Sequence, residues 1–197
     1  MPRVSDDHLE RRRRQILDAA RRCFLRKGFH QTSMQDVFAE SGLSAGAVYR
    51  YFKSKKELIH AIATEKQGSA VQLLEEIMKE DPLPPFEEII ERLMTHVESI
   101  LVDDGAFRIA PQVWAEALHD PEYQVIVEGL FRGLRYRWVE LAERMRDAGR
   151  LPRDADPEAL GATLMCVMPG FVMQSLLVGD VDARTLRAGF HALTGAS

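Results

Sequence analysis

Cysteine is scarce in this chain: there are two in 197 residues, Cys23 and Cys166, set far apart. Each sits in an apolar helical pattern, so both are expected to be buried free thiols. A structural disulfide is not expected, which fits a reducing cytoplasm. Long apolar runs are missing as well. None reaches the roughly 18 residues that a membrane helix needs. The N-terminus passes from Pro2-Arg3 into charge, without the apolar core of a signal peptide. No membrane partner is therefore expected. Segments that alternate apolar and polar residues between hairpin turns are lacking, which leaves no candidate strand. Nor is there a glycine-rich phosphate loop, a nucleophile elbow or zinc-ligand spacing. Catalytic residues, a metal and a cofactor are accordingly not expected.

What is present is helical periodicity almost throughout. The hydrophobic content of 46% is enough for one substantial core, or for a small domain plus a larger one. The most informative stretch is residues 32–58, TSMQDVFAESGLSAGAVYRYFKSKKEL. Hydroxyl residues stand where helices should begin. Ser33 is followed by Asp36 in capping-box spacing, Ser44 stands alone, and Ser54 is followed by Glu57 in the same spacing. A hydroxyl at the cap accepts from exposed first-turn amides, and an acid further on reaches back. The stretch therefore parses as a helix, a tight turn at Ser41-Gly42-Leu43, a very short helix, and a third helix. That is the helix-turn-helix pattern, whose second member enters the DNA major groove. Charge agrees. Residues 1–56 hold 13 Lys and Arg against 6 Asp and Glu, whereas residues 57–197 hold 13 against 24. Basic charge gathers where a phosphate backbone would be met.

Nine helices are expected in all. The first covers about residues 7–27, buries Ile16, Ala19, Ala20, Cys23 and Phe24, and stops at Gly28. Val37, Phe38, Leu43, Val48 and Phe52 close a small core. A long fourth helix runs from Ser54 to about Lys79, where Asp81-Pro-Leu-Pro-Pro breaks it. A fifth begins at Pro84 or Pro85 and ends at Asp103-Asp104-Gly105. A sixth spans about residues 106–118, disturbed near Pro111. Asp120-Pro121 and Asp156-Pro157 each pair a cap with proline at the first helical position, and they start the seventh and eighth helices. The ninth covers about residues 182–193. The eighth, residues 160–178, is apolar nearly all round and should be kinked at Pro169.

Gly28, Thr32, Val37, Gly42, Leu43, Ser44, Gly46, Val48, Tyr49, Tyr51, Phe52, Lys55 and Leu58 together resemble the N-terminal domain of the TetR family of bacterial transcriptional regulators. The stretch Trp114-Ala-Glu-Ala-Leu118 looks like one common variety of the family's C-terminal domain. Phe38 departs from the pattern, which usually has a small alanine there, and the larger ring should shift the second helix against the first. The resemblance implies an all-α chain, with a helix-turn-helix DNA-binding domain at 1–56 and a ligand-binding and dimerisation domain at 57–197. It implies a homodimeric, cytoplasmic repressor that binds palindromic double-stranded DNA and lets go when a small molecule binds.

The resemblance also implies DNA contacts. Thr32 and Ser33 lie at the start of the second helix, where free amides and hydroxyls can hold a phosphate. Tyr49, Tyr51, Lys53 and Lys55 match phosphate-contacting positions of the family. The start of the recognition helix, Ser44, Ala45, Gly46 and Ala47, can approach closely and touch thymine methyls. Gln35 and Arg50 are the polar candidates for base reading.

In the larger domain, Leu164, Val172, Leu176, Leu186, Phe190 and Leu193 are candidates for a four-helix seam between two subunits, because an apolar helix must be covered on every side. Met94, Phe107, Trp114, Leu118, Met165, Met168 and Phe171 are candidates for the pocket of a small apolar or amphipathic effector. Two other readings stay open. One keeps the DNA binding without an effector. The other, more remote, is a helical di-metal enzyme, because Glu-x-x-His occurs at Glu57–His60 and Glu116–His119.

Overall fold

A computed structural model describes residues 6–103 and 106–194. The expected helix end at Asp104-Gly105 lies outside the described residues. All regular structure among the described residues is α-helix: α1 (Asp6–Lys27), α2 (Met34–Ser41), α3 (Ala45–Tyr49), α4 (Lys55–Met78), α5 (Phe86–Asp103), α6 (Ala106–Ala117), α7 (Pro121–Asp147), α8 (Pro157–Met165), α9 (Val167–Leu177) and α10 (Ala183–Thr194). The nine-helix reading stands, with one helix broken in two. Pro169 has no amide to offer the carbonyl of Met165, and its ring crowds that carbonyl. The helix therefore tightens at Cys166, whose amide bonds to the Thr163 carbonyl, and resumes as α9. The interruption falls before the proline, at Cys166, and not at Pro169 itself.

The chain divides into two compact units: residues up to Glu65 with Asp104–Ile126, and Lys66–Asp103 with Val127–Ser197. This division differs from a boundary at residue 56. In the first unit, α1, α2, α3 and the start of α4 bury Ile16, Ala19, Ala20, Phe24, Val37, Val48, Phe52 and Leu58. α6 and the first turns of α7 join them through long-range polar contacts. The Phe29 amide donates to Gln112 Oε1 at 2.7 Å, and Lys56 reaches both Asp120 (2.8 Å) and Glu122 (2.6 Å). No local pattern announces partners so far apart in sequence.

The second unit packs α5 against α10 and α9, around Ile89, Ile90, Met94, Trp138, Leu141 and Phe171. α7 and α8 cross very closely at Gly161. A Cβ there would lie 2.4 Å from Val139 Cγ2 and 3.2 Å from the Val139 amide, so glycine is required by the crossing itself. One face of the broken helix is left uncovered. The most apolar 18-residue stretch within residues 157–177 has a mean hydropathy of 1.6, yet only 28% of it is buried. By length and composition this segment is long and apolar enough to cross a membrane, contrary to the expectation that no run suffices. Gly161, Thr163, Gly170 and Ser175 interrupt the apolar run while lowering its mean hydropathy little. Cys166 lies exposed on it and is not buried as expected; Cys23 is buried, and burial raises its thiol pKa.

Candidate nucleic-acid interface

α2 is fixed first. Ser33 Oγ accepts from the Asp36 amide at 3.3 Å, and Asp36 Oδ2 accepts from the Ser33 amide at 2.8 Å, which completes the capping box. The Lys27 ammonium and then the Ser33 donors hold the Asp36 carboxyl well below the usual carboxylate range. At the other end Gly42 adopts φ 68°, a left-handed cap that lets the chain reverse into the turn. Ser44 Oγ then caps α3 by accepting from the Ala47 amide at 3.3 Å. α3 has five residues. A helix this short does not hold itself; Val48, fully buried, and Phe52 anchor it.

The outward side of α3 carries Ser44, Ala45, Gly46, Tyr49 and Arg50, all exposed, with Ala47 half-buried. A Cβ added at Gly46 would meet nothing within 4 Å, so packing within the chain places no demand on that glycine. Gln35, in the first turn of α2, is exposed as well, and Tyr51 is half-buried. Lys53 is exposed and reaches back to the Tyr49 carbonyl at the end of α3. A short probe with small side chains, edged by a phenol and cations, is thus presented to solvent.

Two expected phosphate contacts are corrected. Thr32 is only 2% exposed, and its hydroxyl is engaged with the Gly28 carbonyl at 2.8 Å and the Cys23 carbonyl at 3.2 Å. It ties the end of α1 to the start of α2 and has no free donor for a phosphate. Lys55 also points inward. Its Nζ donates to the Phe29 carbonyl (2.9 Å) and the His30 carbonyl (3.2 Å), and it lies 4.5 Å from the centre of the Phe29 ring. Burial pushes its pKa down. Ser33 remains exposed, but its hydroxyl is shared with the cap.

Lys55→Ala should therefore lower thermal stability by about 1–2 kcal/mol, the worth of charge-assisted bonds in a half-buried site. Lys53→Ala should leave stability nearly unchanged and reduce the salt slope of DNA binding by about one contact. Melting curves and salt titrations of the two variants separate these roles. An unchanged melting temperature for Lys55→Ala would return that residue to the phosphate list.

The basic excess of the first 56 residues is also less available than its count implies. Arg22 and Arg26 both bind Glu40, Lys27 binds Asp36, and Arg21 binds Asp18 and Glu65. These cations fasten α1 to α2 and α4. Beside α3 the exposed cations are Arg50 and Lys53, and on α1 the run of Arg11, Arg12, Arg13 and Arg14 adds more, with Arg12 on Gln15 and Arg13 and Arg14 on the exposed Glu10. The carboxylates of the two Glu-x-x-His pairs are engaged too: Glu57 accepts from the Lys53 amide at 2.6 Å, and Glu116 faces His30 Nδ1 at 3.1 Å.

The remaining expected site residues fall as follows. Leu118 is 81% exposed in the turn after α6, which removes it from any enclosed pocket. Phe107 and Trp114, half-buried, belong to the first unit; Met94, Met165, Met168 and Phe171 belong to the second. Val172 is completely buried within its own unit and has no face left for a partner, and Leu164 is nearly as enclosed. Leu176, Leu186 and Phe190 are half-buried, and Leu193 is exposed. Within the second unit, Leu164, Phe190 and Leu193 line an apolar groove of about 580 Å³ together with Phe86, Met145 and Leu160. Leu177 and Val178, at the end of α9, are 74% and 66% exposed.

Residues 16–62 match the family model of the bacterial regulatory proteins of the tetR family, and residues 85–194 match that of the BetI-type transcriptional repressor C-terminal domain. The second match alone covers more than half of the chain. The chain belongs to the TetR family of bacterial transcriptional regulators. It is similar to the HTH-type transcriptional repressor Rv1474c of Mycobacterium tuberculosis, 46% identical over 65 residues, which is 33% of this chain and 35% of that protein. The match thus spans about a third of that relative's length. Similarity to the HTH-type transcriptional repressor AcnR of Corynebacterium diphtheriae is 28% over 193 residues, covering 92% of this chain and 90% of that one. Among solved structures, SmeT, the repressor of the Stenotrophomonas maltophilia multidrug efflux pump SmeDEF, superposes with a TM-score of 0.70 at 26% identity, over 93% of this chain and 88% of SmeT. This TetR-family chain is a DNA-binding transcription regulator, and the family is not enzymatic.

Proposed function

We propose that this TetR-family chain is a ligand-responsive repressor that binds palindromic operator DNA as a homodimer. The observation that carries the reading is the exposed face of α3, Ala45-Gly46 with Tyr49 and Arg50 beside it. It is unoccupied by its own unit and held rigid from behind by Val48 and Phe52. Ala45, Gly46 and Ala47 approach the base edges, Gln35 and Arg50 read them, and Ser33, Tyr49, Tyr51 and Lys53 fix the register on phosphates. A second copy supplies the second reading helix, one groove turn away, roughly 34–36 Å. It also covers the apolar flank of α9 and α10, where Leu177, Val178 and Leu193 stand in solvent.

The effector is a small apolar or amphipathic molecule, for which pliable side chains such as Met94, Met165 and Met168 are suited. SmeT has been solved as a complex with triclosan, a likeness of 24% identity and TM-score 0.75 that supports the architecture. Such a molecule lowers operator affinity only by binding the DNA-incompetent form more tightly.

Genomic footprinting followed by titration on the protected duplex tests the whole reading. A two-fold symmetric footprint is expected, with a Tyr49→Phe variant that binds every duplex more weakly and an affinity that falls steeply with salt. A purified protein indifferent to duplex DNA at low ionic strength would overturn it.

A further inference from the structure

We propose that Phe38 is a positioning residue for DNA binding: its ring holds the Tyr49 phenol in the orientation that meets the duplex. The inference rests on the reading of Tyr49 as a backbone contact. The two rings lie 5.2 Å apart, centroid to centroid, at an interplanar angle of 70°. This edge-to-face arrangement places the positive edge of one ring on the negative face of the other, so it fixes orientation as well as distance.

The two ends of the contact differ in rigidity. Tyr49 closes a five-residue helix, too short to hold itself, and is 40% exposed. Phe38 projects from α2, which is locked at both ends. The Ser33–Asp36 capping box holds the start, and the left-handed Gly42 holds the finish. The Phe38 backbone is itself engaged, its carbonyl accepting from Ser41 Oγ at 3.1 Å. Behind α2, Gln15 Nε2 donates to the Ser41 carbonyl at 2.8 Å, which ties the turn to α1. Orientation is thus passed from the rigid helix to the exposed one through this pair of rings. A bare Tyr49 would sample several rotamers in the free protein and lose that freedom on binding, which weakens the complex. Phe38 removes that freedom before the duplex arrives. The side chain that the family pattern leaves small therefore acts here on α3.

The test is a double-mutant cycle on the full chain. Binding is measured to a non-specific labelled duplex of about 30 base pairs at low salt, where phosphate contacts dominate. Tyr49→Phe deletes the hydroxyl and should weaken binding about 3–10-fold in the wild-type background, the range of one charge-assisted hydrogen bond diluted by water. In the Phe38→Leu background the same deletion should cost less than about twofold, because the unbraced phenol no longer arrives in place. Phe38→Tyr retains the ring and should restore the full cost, which a role in filling volume alone would not require. The upfield shift of the Tyr49 ring protons, read by NMR on free protein, should persist in Phe38→Tyr and vanish in Phe38→Leu. Equal costs of the Tyr49→Phe change in both backgrounds would overturn the role of Phe38 while leaving Tyr49 a DNA contact. No cost in the wild-type background would overturn the Tyr49 reading, and this inference with it.

Discussion

Gly46→Glu should abolish operator binding while leaving the protein folded. The free space around Gly46 on its own chain means that a side chain there displaces nothing. Replacing a helical glycine removes chain freedom from the unfolded state and stabilises by about 0.5–1 kcal/mol. A carboxylate in the first turn of α3 also suits the helix dipole. Melting temperature should therefore hold or rise. At the duplex, the same carboxylate would be driven between phosphates, and its bulk would keep α3 from the base edges. Affinity should fall to or below the non-specific level, a loss of at least about 10³-fold. Gel shift and thermal melting on one preparation read both effects. A variant that still binds the operator within about twofold would show that α3 is not the element in the groove.

The second large effect concerns assembly. Leu177→Asp combined with Leu193→Asp should yield a folded monomer by sedimentation. Both side chains are largely in solvent within the chain, 74% and 80% exposed, so the fold does not depend on them. Across a subunit seam, however, each aspartate would bury an unpaired charge. Losing the seam separates the two reading helices, and each must then find its half-site alone. Operator affinity should drop about 10²–10⁴-fold, the usual worth of a linked second site. Binding to non-specific duplex should fall much less. Were the double variant to remain dimeric, the uncovered flank of α9 and α10 would not be the seam.

Much of the first unit was legible because its signals are local. Ser33 with Asp36, Ser44, Gly28 and Gly42 each act within a few residues, and the structure puts each where its chemistry requires. Asp156-Pro157 worked for the same reason at the start of α8. The misreadings are those in which a distant group decides. Lys55 looks like a free ammonium until the carbonyls of Phe29 and His30 are placed beside it. Thr32 looks like a cap-side hydroxyl until the end of α1 closes over it. Val172 belongs to an apolar helix with no evident inner face, so periodicity could not say which flank its own unit would cover. The uncovered flank proved to carry Cys166, Leu177 and Val178. Gly161 offered a faint signal, an isolated glycine inside a helical pattern, but only Val139 explains it.

The hold of Gln112 on the Phe29 amide, with that of Asp120 and Glu122 on Lys56, has a consequence for anyone swapping reading heads between related regulators. A cut after residue 56 orphans a buried amide and strips a lysine of both its anions. A chimaera built on that cut transplants the operator preference without the props that hold it upright. The portable piece is discontinuous: the first 65 residues together with α6 and the opening turns of α7.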